Sequence, residues 1–339
     1  MRALITGGAG FLGSHLADAL LARGQEVWVL DDLAAGSLEH IAHDLQHPCF
    51  EFVKDSILNT QLLRVLVGSC DVVYHLAAVL DPKTAIRDPL HAATVNIHGT
   101  ENVLAAAAEH GRKVVLASSS EVYGKNTKTP LREHHDRVLG PTNMVRWSYA
   151  SAKAINEQFG FAYGAKGLPV VILRLFNCYG PRLHWRGYGT VIARFIAQAL
   201  GGEALTVYGD GRQTRCFTYV DDAVAGLLLA GNNAEADGRI FNIGETTEVS
   251  ILNLAHLIRS LCRSSSEVKF SPYEDPFGQS YEDTWRSVPD ISRARLILGF
   301  QPRISLEGGL LRTIDWCRRQ PVKRPSARLG SESGPALVQ

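Results

Sequence analysis

The chain has 339 residues, of which 45% are hydrophobic, and its charged residues nearly cancel to a net charge of +1. This length allows one large domain or two that share an interface. Because the charges are balanced and scattered, we predict no nucleic-acid partner. No apolar run is long enough to span a bilayer, and no basic and apolar leader precedes the first strand, so we predict neither a membrane partner nor export.

The cysteines are far apart in the sequence and form no CxxC pair. They are Cys49, Cys70, Cys178, Cys216, Cys262 and Cys317. This spacing argues against a zinc site and against a disulfide framework, so we predict no bound metal. A chain without disulfides fits a reducing compartment, and we therefore expect a cytoplasmic location.

The first half of the chain alternates between short apolar runs and helical patterns. Nearly continuous β-branched runs, typical of strands buried on both faces, occur at 2–6, 26–30, 50–53, 71–75, 113–117 and 170–174. Apolar residues at helical spacing separate several of these runs. Strands and helices in alternation predict an α/β fold with a Rossmann-type, doubly wound parallel sheet.

The stretch TGGAGFLG joins the first strand to the first helix with a GxxGxxG spacing. Gly7 permits a tight turn, Gly10 lets the backbone approach a diphosphate, and Gly13 lets helix and strand pack closely. The diphosphate would bind to free N–H groups at the helix N-terminus. Asp31 ends the second strand, where it would accept hydrogen bonds from the adenosine ribose and repel a 2′-phosphate, so we predict NAD rather than NADP. The alternative is a purely structural turn.

The composition changes after residue 176, and this change suggests the domain organisation. We predict that residues 1–176 form an NAD-binding domain to which residues 217–243 return. Residues 177–216 and 244–315 would form a smaller substrate-binding region. The tail, residues 320–339, contains Pro, Ser and Gly without a period and is predicted to be disordered.

Tyr149 and Lys153 lie four residues apart in WSYASAKAINEQF, on one face of a predicted helix. A phenol with a pKa of about 10 is a poor base at neutral pH. A nearby ammonium group favours the phenolate, so we expect Lys153 to lower the pKa of Tyr149. The alternative is an ordinary exposed Tyr and Lys on a helix.

Further motifs occur in a fixed order along the chain: TGGAGFLG, HLAA, SSSEVYG, YASAK, RLFNCYGPR and TRCFTYVDD. Together they resemble the extended short-chain dehydrogenase/reductase family of nucleotide-sugar epimerases, dehydratases and decarboxylases, over residues 1–315. The resemblance implies tightly held NAD, a UDP-linked sugar as substrate and transient oxidation at sugar C4. It also implies a homodimer that packs through helices near 98–110 and 149–164.

The resemblance further implies a role for each site residue. The catalytic residues would be Ser119, which holds the C4 oxygen, Tyr149, which takes the C4 hydroxyl proton, and Lys153, which holds the nicotinamide ribose, together with Ser120 and Glu121. The predicted cofactor site contains Gly7, Gly10, Phe11, Leu12, Gly13, Asp31, Asp32, Asp55, Ser56, Leu76, Ala77, Ala78, Asn96, Tyr149 and Lys153. The predicted substrate site contains Asn177, Arg182, Arg186, Val207, Arg215, Phe217 and Arg286, with Val207 and Phe217 near the base.

The reaction that follows C4 oxidation stays open at this point. Ser120 stands where dTDP-glucose dehydratases place an Asp, and the order Ser-Ser-Glu is closer to UDP-glucuronate decarboxylases and to GDP-mannose dehydratases. We predict a UDP-glucuronate decarboxylase-type reaction first, a UDP-sugar 4-epimerase second and a 4,6-dehydratase third. A noncatalytic NAD-binding scaffold is the alternative from a different class of protein.

Glu121 is expected to face the C5–C6 end of the sugar. At about 4 Å and an effective dielectric constant of about 20, a substrate carboxylate would repel Glu121 by ~4 kcal/mol. A glucuronate site therefore calls for an arginine. Decarboxylases carry it two residues before a motif proline, where this chain has Ser287, one residue after Arg286. Arg286, Arg182 or Arg186 would have to replace it, or the substrate has no carboxylate.

Overall fold

The computed structural model describes residues 1–80, 87–144, 146–183, 190–272 and 284–320. The prediction of a disordered tail falls almost wholly outside the described residues, and so does the prediction for Arg186.

The strands of the described chain fall into one large sheet and several small ones. They are β1 (Arg2–Thr6), β2 (Glu26–Leu30), β3 (Phe50–Val53), β4 (Val72–His75), β5 (Lys113–Ser119), β6 (Val170–Leu175), β7 (Cys178–Tyr179), β8 (Leu205–Tyr208), β9 (Thr214–Cys216), β10 (Thr218–Tyr219), β11 (Arg239–Ile243), β12 (Glu248–Ser250), β13 (Val268–Ser271) and β14 (Arg286–Ser287).

The α-helices alternate with the strands in the first half of the chain and dominate its end. They are α1 (Phe11–Leu21), α2 (Thr60–Gly68), α3 (Pro89–Ala93), α4 (Thr100–His110), α5 (Arg146–Ala165), α6 (Val191–Gly201), α7 (Val220–Asn232), α8 (Ile251–Cys262), α9 (Ser292–Leu298) and α10 (Leu306–Arg319). A π-helical turn, Thr94–Gly99, joins α3 to α4.

The central sheet has seven strands in the order β11-β6-β5-β4-β1-β2-β3, and all of its pairs are parallel. Thr6 at the end of β1 pairs with Leu30 of β2 on one side and with His75 of β4 on the other. The carboxyl ends of these strands therefore meet at one edge. The chain changes direction across the sheet beside β1, which is where such folds bind ligands. The predicted α/β, doubly wound fold is confirmed.

Two hydrophobic clusters cover the two faces of this sheet. One contains Leu16 of α1 and Leu227 of α7, and it continues to Leu254 of α8 and Leu310 of α10. The other contains residues of α2 and α4 packed under the opposite face. Because the first cluster runs from the beginning of the chain to α10, the predicted cofactor and substrate regions share one core, and their exact boundaries stay a prediction.

Three small sheets lie outside the central one. β9 pairs with β12 and β14, β8 pairs in parallel with β13, and β7 pairs in parallel with β10. These strands have two to four residues, which is too short for a recognisable apolar pattern. Within the described part of the chain, no helix combines the length and the apolar character that crossing a membrane requires.

Candidate active site

The glycine-rich turn after β1 has the geometry that a diphosphate site needs. Gly7 has φ = +73°, and a Cβ there would lie 2.7 Å from the backbone N of Ala77. A Cβ on Gly13 would lie 2.2 Å from the carbonyl oxygen of Gly7. Helix α1 begins directly after Gly10, and no described side chain caps its first turn, which contains Phe11. Its free N–H groups and close backbone approach fit the diphosphate of a dinucleotide.

Asp31 lies at the end of β2, directly beside this turn. It is buried, and its two carboxylate oxygens accept hydrogen bonds from the N–H groups of Ala9 (3.0 Å) and Leu33 (2.8 Å). Burial raises its pKa, while these two N–H groups act in the opposite direction. Each carboxylate oxygen keeps a second lone pair, so Asp31 can still accept from ribose hydroxyls. The neighbouring Asp32 accepts from the N–H of Ala34.

The loop after β3 contains the next two predicted cofactor residues. Asp55 accepts hydrogen bonds from the N–H of Ser56 (2.6 Å) and from the side-chain amide of Asn59 (3.0 Å). The Ser56 hydroxyl accepts from the N–H of Leu58. These contacts organise the loop, and contact with the cofactor stays a prediction for both residues.

The loop after β4 is held by a buried histidine. His75 hydrogen bonds through Nδ1 to the Thr6 hydroxyl (2.7 Å) and through Nε2 to the Thr100 hydroxyl (2.9 Å). The Thr100 hydroxyl donates to the carbonyl of Asn96, so Nε2–H donates to Thr100 and Nδ1 accepts from Thr6. Burial lowers the pKa of His75 to about 3, which keeps the ring neutral. The predicted cofactor residues Leu76, Ala77 and Ala78 follow His75 directly.

The side chain of Asn96, another predicted cofactor residue, is bonded to the protein. It lies in the π-helical turn, and its side-chain oxygen accepts from the N–H of Val79 (2.7 Å) while its side-chain NH₂ donates to the carbonyl of Val79 (2.9 Å). Both ends of the carboxamide are thus bonded to the loop after β4. Asn96 therefore positions this loop, and its contact with the cofactor stays a prediction.

Tyr149 and Ser119 come together as the sequence predicts. Ser119 ends β5, Tyr149 lies in the first turns of α5, and their side chains share a hydrogen bond. The Ser119 hydroxyl also accepts from the N–H of Glu121 (3.2 Å), at the start of the short turn that contains Ser120. Glu121 lies near enough for its charge to affect the phenol.

The expected effect of Lys153 on Tyr149 is wrong for this structure. Burial and then the charge of Glu121 raise the pKa of Tyr149, and the hydrogen bond from Ser119 opposes them only in part. The Lys153 Nζ lies 5.8 Å from the centre of the Tyr149 ring and donates to the carbonyl of Ala117 (2.8 Å). Burial lowers the pKa of Lys153 itself to about 8.

Two of the three consecutive serines face different partners, and a catalytic role for Ser120, which lies in the short turn after β5, stays a prediction. Ser118 donates to the buried carboxylate of Glu157 (2.6 Å), so it faces α5 behind the site, whereas Ser119 faces Tyr149. Sequence reasoning missed Glu157 and its partner Arg174. The available signal was an acid one helical turn beyond Lys153 on the same face.

The predicted substrate residues Asn177 and Arg182 are both held by the protein. The Asn177 side chain donates to the carbonyl of Cys216 (2.9 Å). Arg182 pairs with Asp18 of α1 (2.7 Å), so one of its guanidinium nitrogens is held by an acid of the first helix. Contact of either residue with a substrate stays a prediction.

Among the described residues, one group of possible metal ligands comes together. The ligand atoms of Asp18, His43 and Asp44 lie within 4.8 Å of one another. Arg182 donates to one oxygen of Asp18, and His43 lies 2.9 Å from the other. This group is part of a network of charged side chains that joins α1, the segment before β3 and the segment after β7.

The two residues predicted near the base are core residues. Val207 of β8 is fully buried in the first hydrophobic cluster. Phe217 belongs to the same cluster and packs edge-on against Tyr179. Neither presents an exposed side chain, so their contact with a base stays a prediction that this arrangement does not favour.

Arg215 and Arg286 lie on opposite faces of the small sheet formed by β9, β12 and β14. In this sheet Thr214 pairs with Arg286 and Arg215 pairs with Ser287, and successive residues of a strand face opposite sides. Arg286 makes a two-point ion pair with Glu248, with both N–O distances at 2.7 Å. The Ser287 position therefore shares its face with Arg215, and Arg286 points away from it.

These features define a class of protein. A doubly wound parallel sheet with a glycine-rich turn at its switch point binds a dinucleotide. A Tyr, a Lys and a Ser at the same edge of the sheet are suited to proton transfer from a bound hydroxyl group.

Comparison with known proteins identifies the family. A sequence profile of the NAD dependent epimerase/dehydratase family matches residues 3–244. The chain belongs to this family. The prediction of the family, of an NAD-dependent enzyme and of NAD as the cofactor is confirmed.

Two curated relatives and one solved structure are informative. The chain is 43% identical, over 94% of its length and 98% of the relative, to a UDP-N-acetyl-alpha-D-glucosaminuronate decarboxylase of Bacillus cytotoxicus. It is 38% identical, over 100% of its length and 77% of the relative, to UDP-glucuronic acid decarboxylase 1 of Xenopus tropicalis. The fold matches that of UDP-glucuronic acid 4-epimerase from Bacillus cereus, solved with UDP-glucuronic acid and NAD, with a TM-score of 0.83, 31% identity and coverage of 94% of this chain and 99% of that one.

Proposed function

We propose that the chain decarboxylates a UDP-linked hexuronate through a 4-keto intermediate. The observation that carries this proposal is the hydrogen-bonded pair of Tyr149 and Ser119 with the charge of Glu121 beside it. The similarity to decarboxylases of two UDP-hexuronates, over nearly the whole chain, supports the same reaction.

Tyr149 takes the proton of the sugar C4 hydroxyl, and the Ser119 hydroxyl holds the same oxygen in place. Bound NAD supplies the acceptor for the hydride that leaves C4. Oxidation of C4 gives a β-keto acid as the intermediate. In this intermediate the bond from C5 to the carboxyl carbon breaks, and its electron pair moves to the C4 oxygen. C5 is then protonated, C4 is reduced again, and Tyr149 returns its proton to the C4 oxygen.

The residues that would hold NAD are those of the turn and of the strand ends described above. Gly7, Gly10 and Gly13 allow the diphosphate to approach the first turn of α1. Asp31 accepts from the adenosine ribose, and Lys153 reaches the nicotinamide ribose from α5. We propose that the main-chain atoms of Leu76, Ala77 and Ala78 also contact NAD.

Glu121 acts at the C5–C6 end of the sugar in this proposal. Its charge opposes the departing carboxylate, so loss of CO₂ relieves a repulsion that a neutral substrate would not experience. Arg215 shares its sheet face with Ser287, and we propose that it meets the charged part of the substrate. Arg286 is bound to Glu248 on the other face and has no part in this step.

A UDP-sugar 4-epimerase is the second candidate. Ser287 stands in place of the carboxylate-binding arginine, and Arg286 lies on the opposite face from it. An epimerase needs only Tyr149, Ser119 and Lys153 after C4 oxidation. The fold similarity to a UDP-glucuronic acid 4-epimerase supports this alternative.

Incubation of the purified protein with NAD and either UDP-glucuronate or UDP-N-acetylglucosaminuronate tests the proposal. Mass spectrometry should find a product that has lost CO₂ with one of the two substrates, and the Tyr149→Phe variant should form it at least about a hundredfold more slowly. A product of unchanged mass that elutes as a new UDP-sugar would instead identify a 4-epimerase. A product that has lost water would identify a 4,6-dehydratase.

We further propose a cytoplasmic homodimer. Phe161 on α5 is 43% exposed and apolar, which supports burial of this helix against a second copy. All six cysteines are free, which supports a reducing compartment. A mass measured by light scattering that equals a single chain would contradict the dimer.

A further inference from the structure

Helix α5 contacts the end of β5 through side chains at successive turns. Tyr149, Lys153 and Glu157 lie on one face of α5, four residues apart. Lys153 donates to the carbonyl of Ala117 (2.8 Å), and Ser118 donates to Glu157 (2.6 Å). Tyr149 and Lys153 belong to the proposed chemistry, but that chemistry leaves Glu157 without a role.

The Glu157 carboxylate is held in a fixed position. It is only 4% exposed, and Arg174 of β6, only 6% exposed, pairs with both of its oxygens at 2.8 and 2.6 Å. Arg174 is fixed in turn, because it also donates to the carbonyl of Glu133 and lies 4.6 Å from the centre of the Tyr123 ring. Two-point pairing of this kind fixes both the position and the orientation of a carboxylate.

Lys153 is the group on which this carboxylate acts. Lys153 is 3% exposed, and burial lowers its pKa to about 8, while Glu157 acts in the opposite direction. The other titratable groups nearby do not replace Glu157: His75 is neutral, and Glu121 acts on Tyr149 at the front of the site. Arg174, which lies on β6, contacts Glu157 on α5.

We propose that Glu157 is a positioning residue that keeps Lys153 protonated at neutral pH, and that Arg174 and Ser118 hold its carboxylate in place. Without this negative charge, a buried lysine would lose its proton near neutral pH and with it the ability to donate charge-assisted hydrogen bonds to a ribose. The effect on catalysis rests on the proposed function. The effect of Glu157 on the protonation of Lys153 is independent of it.

The test is an NMR titration of protein labelled with ¹³C at the lysine ε carbon, in the absence of substrate. The Lys153 signal is assigned by its loss in Lys153→Met. Glu157→Gln should lower the titration midpoint of Lys153 by about one pH unit. Ser118→Ala is the matched control, since it removes one hydrogen bond to Glu157 and keeps the charge, so its midpoint should stay near that of the wild type.

A second variant keeps the proposal testable if the single variant does not fold. Glu157→Gln leaves Arg174 buried without a counter-ion, which can unfold a protein. The double variant Glu157→Gln/Arg174→Gln removes both charges together and should show a smaller fall in midpoint, because the positive charge of Arg174 is removed as well. An unchanged midpoint in either folded variant overturns the proposal. So does a wild-type midpoint below neutral pH, a result that needs no variant.

An activity profile provides an independent readout. The alkaline limb of kcat against pH should move to lower pH in the neutral variants, whereas a purely structural role would lower kcat equally at every pH. Because the NMR titration uses no substrate, failure to find decarboxylation would leave the inference about Lys153 standing.

Discussion

The side chains of Ser119 and Tyr149 share a hydrogen bond across the junction of β5 and α5, although thirty residues separate them in the sequence. This contact brings a hydroxyl group and a phenol to one point at the carboxyl edge of the sheet. Tyr149 is half-buried and its pKa is raised, chiefly by loss of solvent around the phenol, so Ser119 is the described side chain that favours its ionised form.

Removing the Tyr149 hydroxyl should abolish most of the activity. General acid–base catalysis contributes roughly 10²–10⁴-fold to rate, so we expect Tyr149→Phe to lower kcat by about that factor with little change in KM. Ser119→Ala should lower kcat by a smaller factor. Steady-state kinetics on the substrate identified by mass spectrometry would measure both, and a Tyr149→Phe variant with near-normal kcat would refute the assignment.

Neutralising Glu121 should have two separable effects. Its charge raises the pKa of Tyr149, so Glu121→Gln should lower that pKa and move the acidic limb of the pH–rate profile to lower pH. If Glu121 also assists the loss of CO₂, the variant should slow decarboxylation more than C4 oxidation.

Single-turnover measurements separate these two steps. The absorbance of reduced nicotinamide reports C4 oxidation, and product mass reports CO₂ loss. In Glu121→Gln, reduced nicotinamide should then accumulate. Equal slowing of both steps would contradict a specific role of Glu121 in the loss of CO₂.

The two arginines of the small sheet should respond differently to truncation. Arg215→Ala should raise KM about tenfold or more, because a charge-assisted contact to a substrate contributes on the order of 1.5–3 kcal/mol. Arg286→Ala should raise KM less, since this residue is bound to Glu248 on the other face and its side chain is 49% exposed. Equal effects of the two substitutions would contradict the assignment of faces.

His75 should make the fold sensitive to acid. The folded pKa is lowered by burial to about 3 from 6.5, so the unfolded chain binds a proton below pH 6.5 that the folded chain does not. Stability is therefore complete above pH 6.5 and falls as the pH drops toward 3. At 1.36 kcal/mol per unit, this residue alone should reduce the free energy of unfolding by about 2 kcal/mol between pH 7 and pH 5.

Urea denaturation at pH 7 and pH 5 measures this loss. His75→Asn is the control, because it keeps a polar side chain at the end of β4 and removes the titrating ring. The difference between the two pH values should be smaller in the variant than in the wild type. The same difference in both proteins would show that His75 does not contribute.

Much of the central sheet could be predicted from the sequence. The runs at 2–6, 26–30 and 50–53 match β1, β2 and β3 residue for residue, because β-branched and aromatic residues favour strands. The register of β14, a strand of two residues, carries no such pattern. The placement of Arg286 and Arg215 on opposite faces could therefore be learned only from the structure.

The site divides in the same way. Local sequence motifs identify Ser119 and Tyr149 as site residues. The contact between Ser118 and Glu157 joins residues 39 apart, and no local sequence pattern predicts it. The sequence predicts that Lys153 lowers the pKa of Tyr149, whereas in the structure loss of solvent around the half-buried phenol and the charge of Glu121 raise it. A sequence shows which charges exist and does not show how much solvent a phenol loses. Burial is a property of the assembled sheet and helices.

Product mass after reaction in D₂O tests the central claim most directly. A decarboxylase must protonate C5 after CO₂ leaves, so the account predicts a UDP-pentose that has lost CO₂ and carries one deuterium on carbon, formed by the wild type at least about a hundredfold faster than by Tyr149→Phe. A UDP-sugar of unchanged mass without carbon-bound deuterium would contradict it, because a 4-epimerase returns hydrogen to C4 and never exchanges C5.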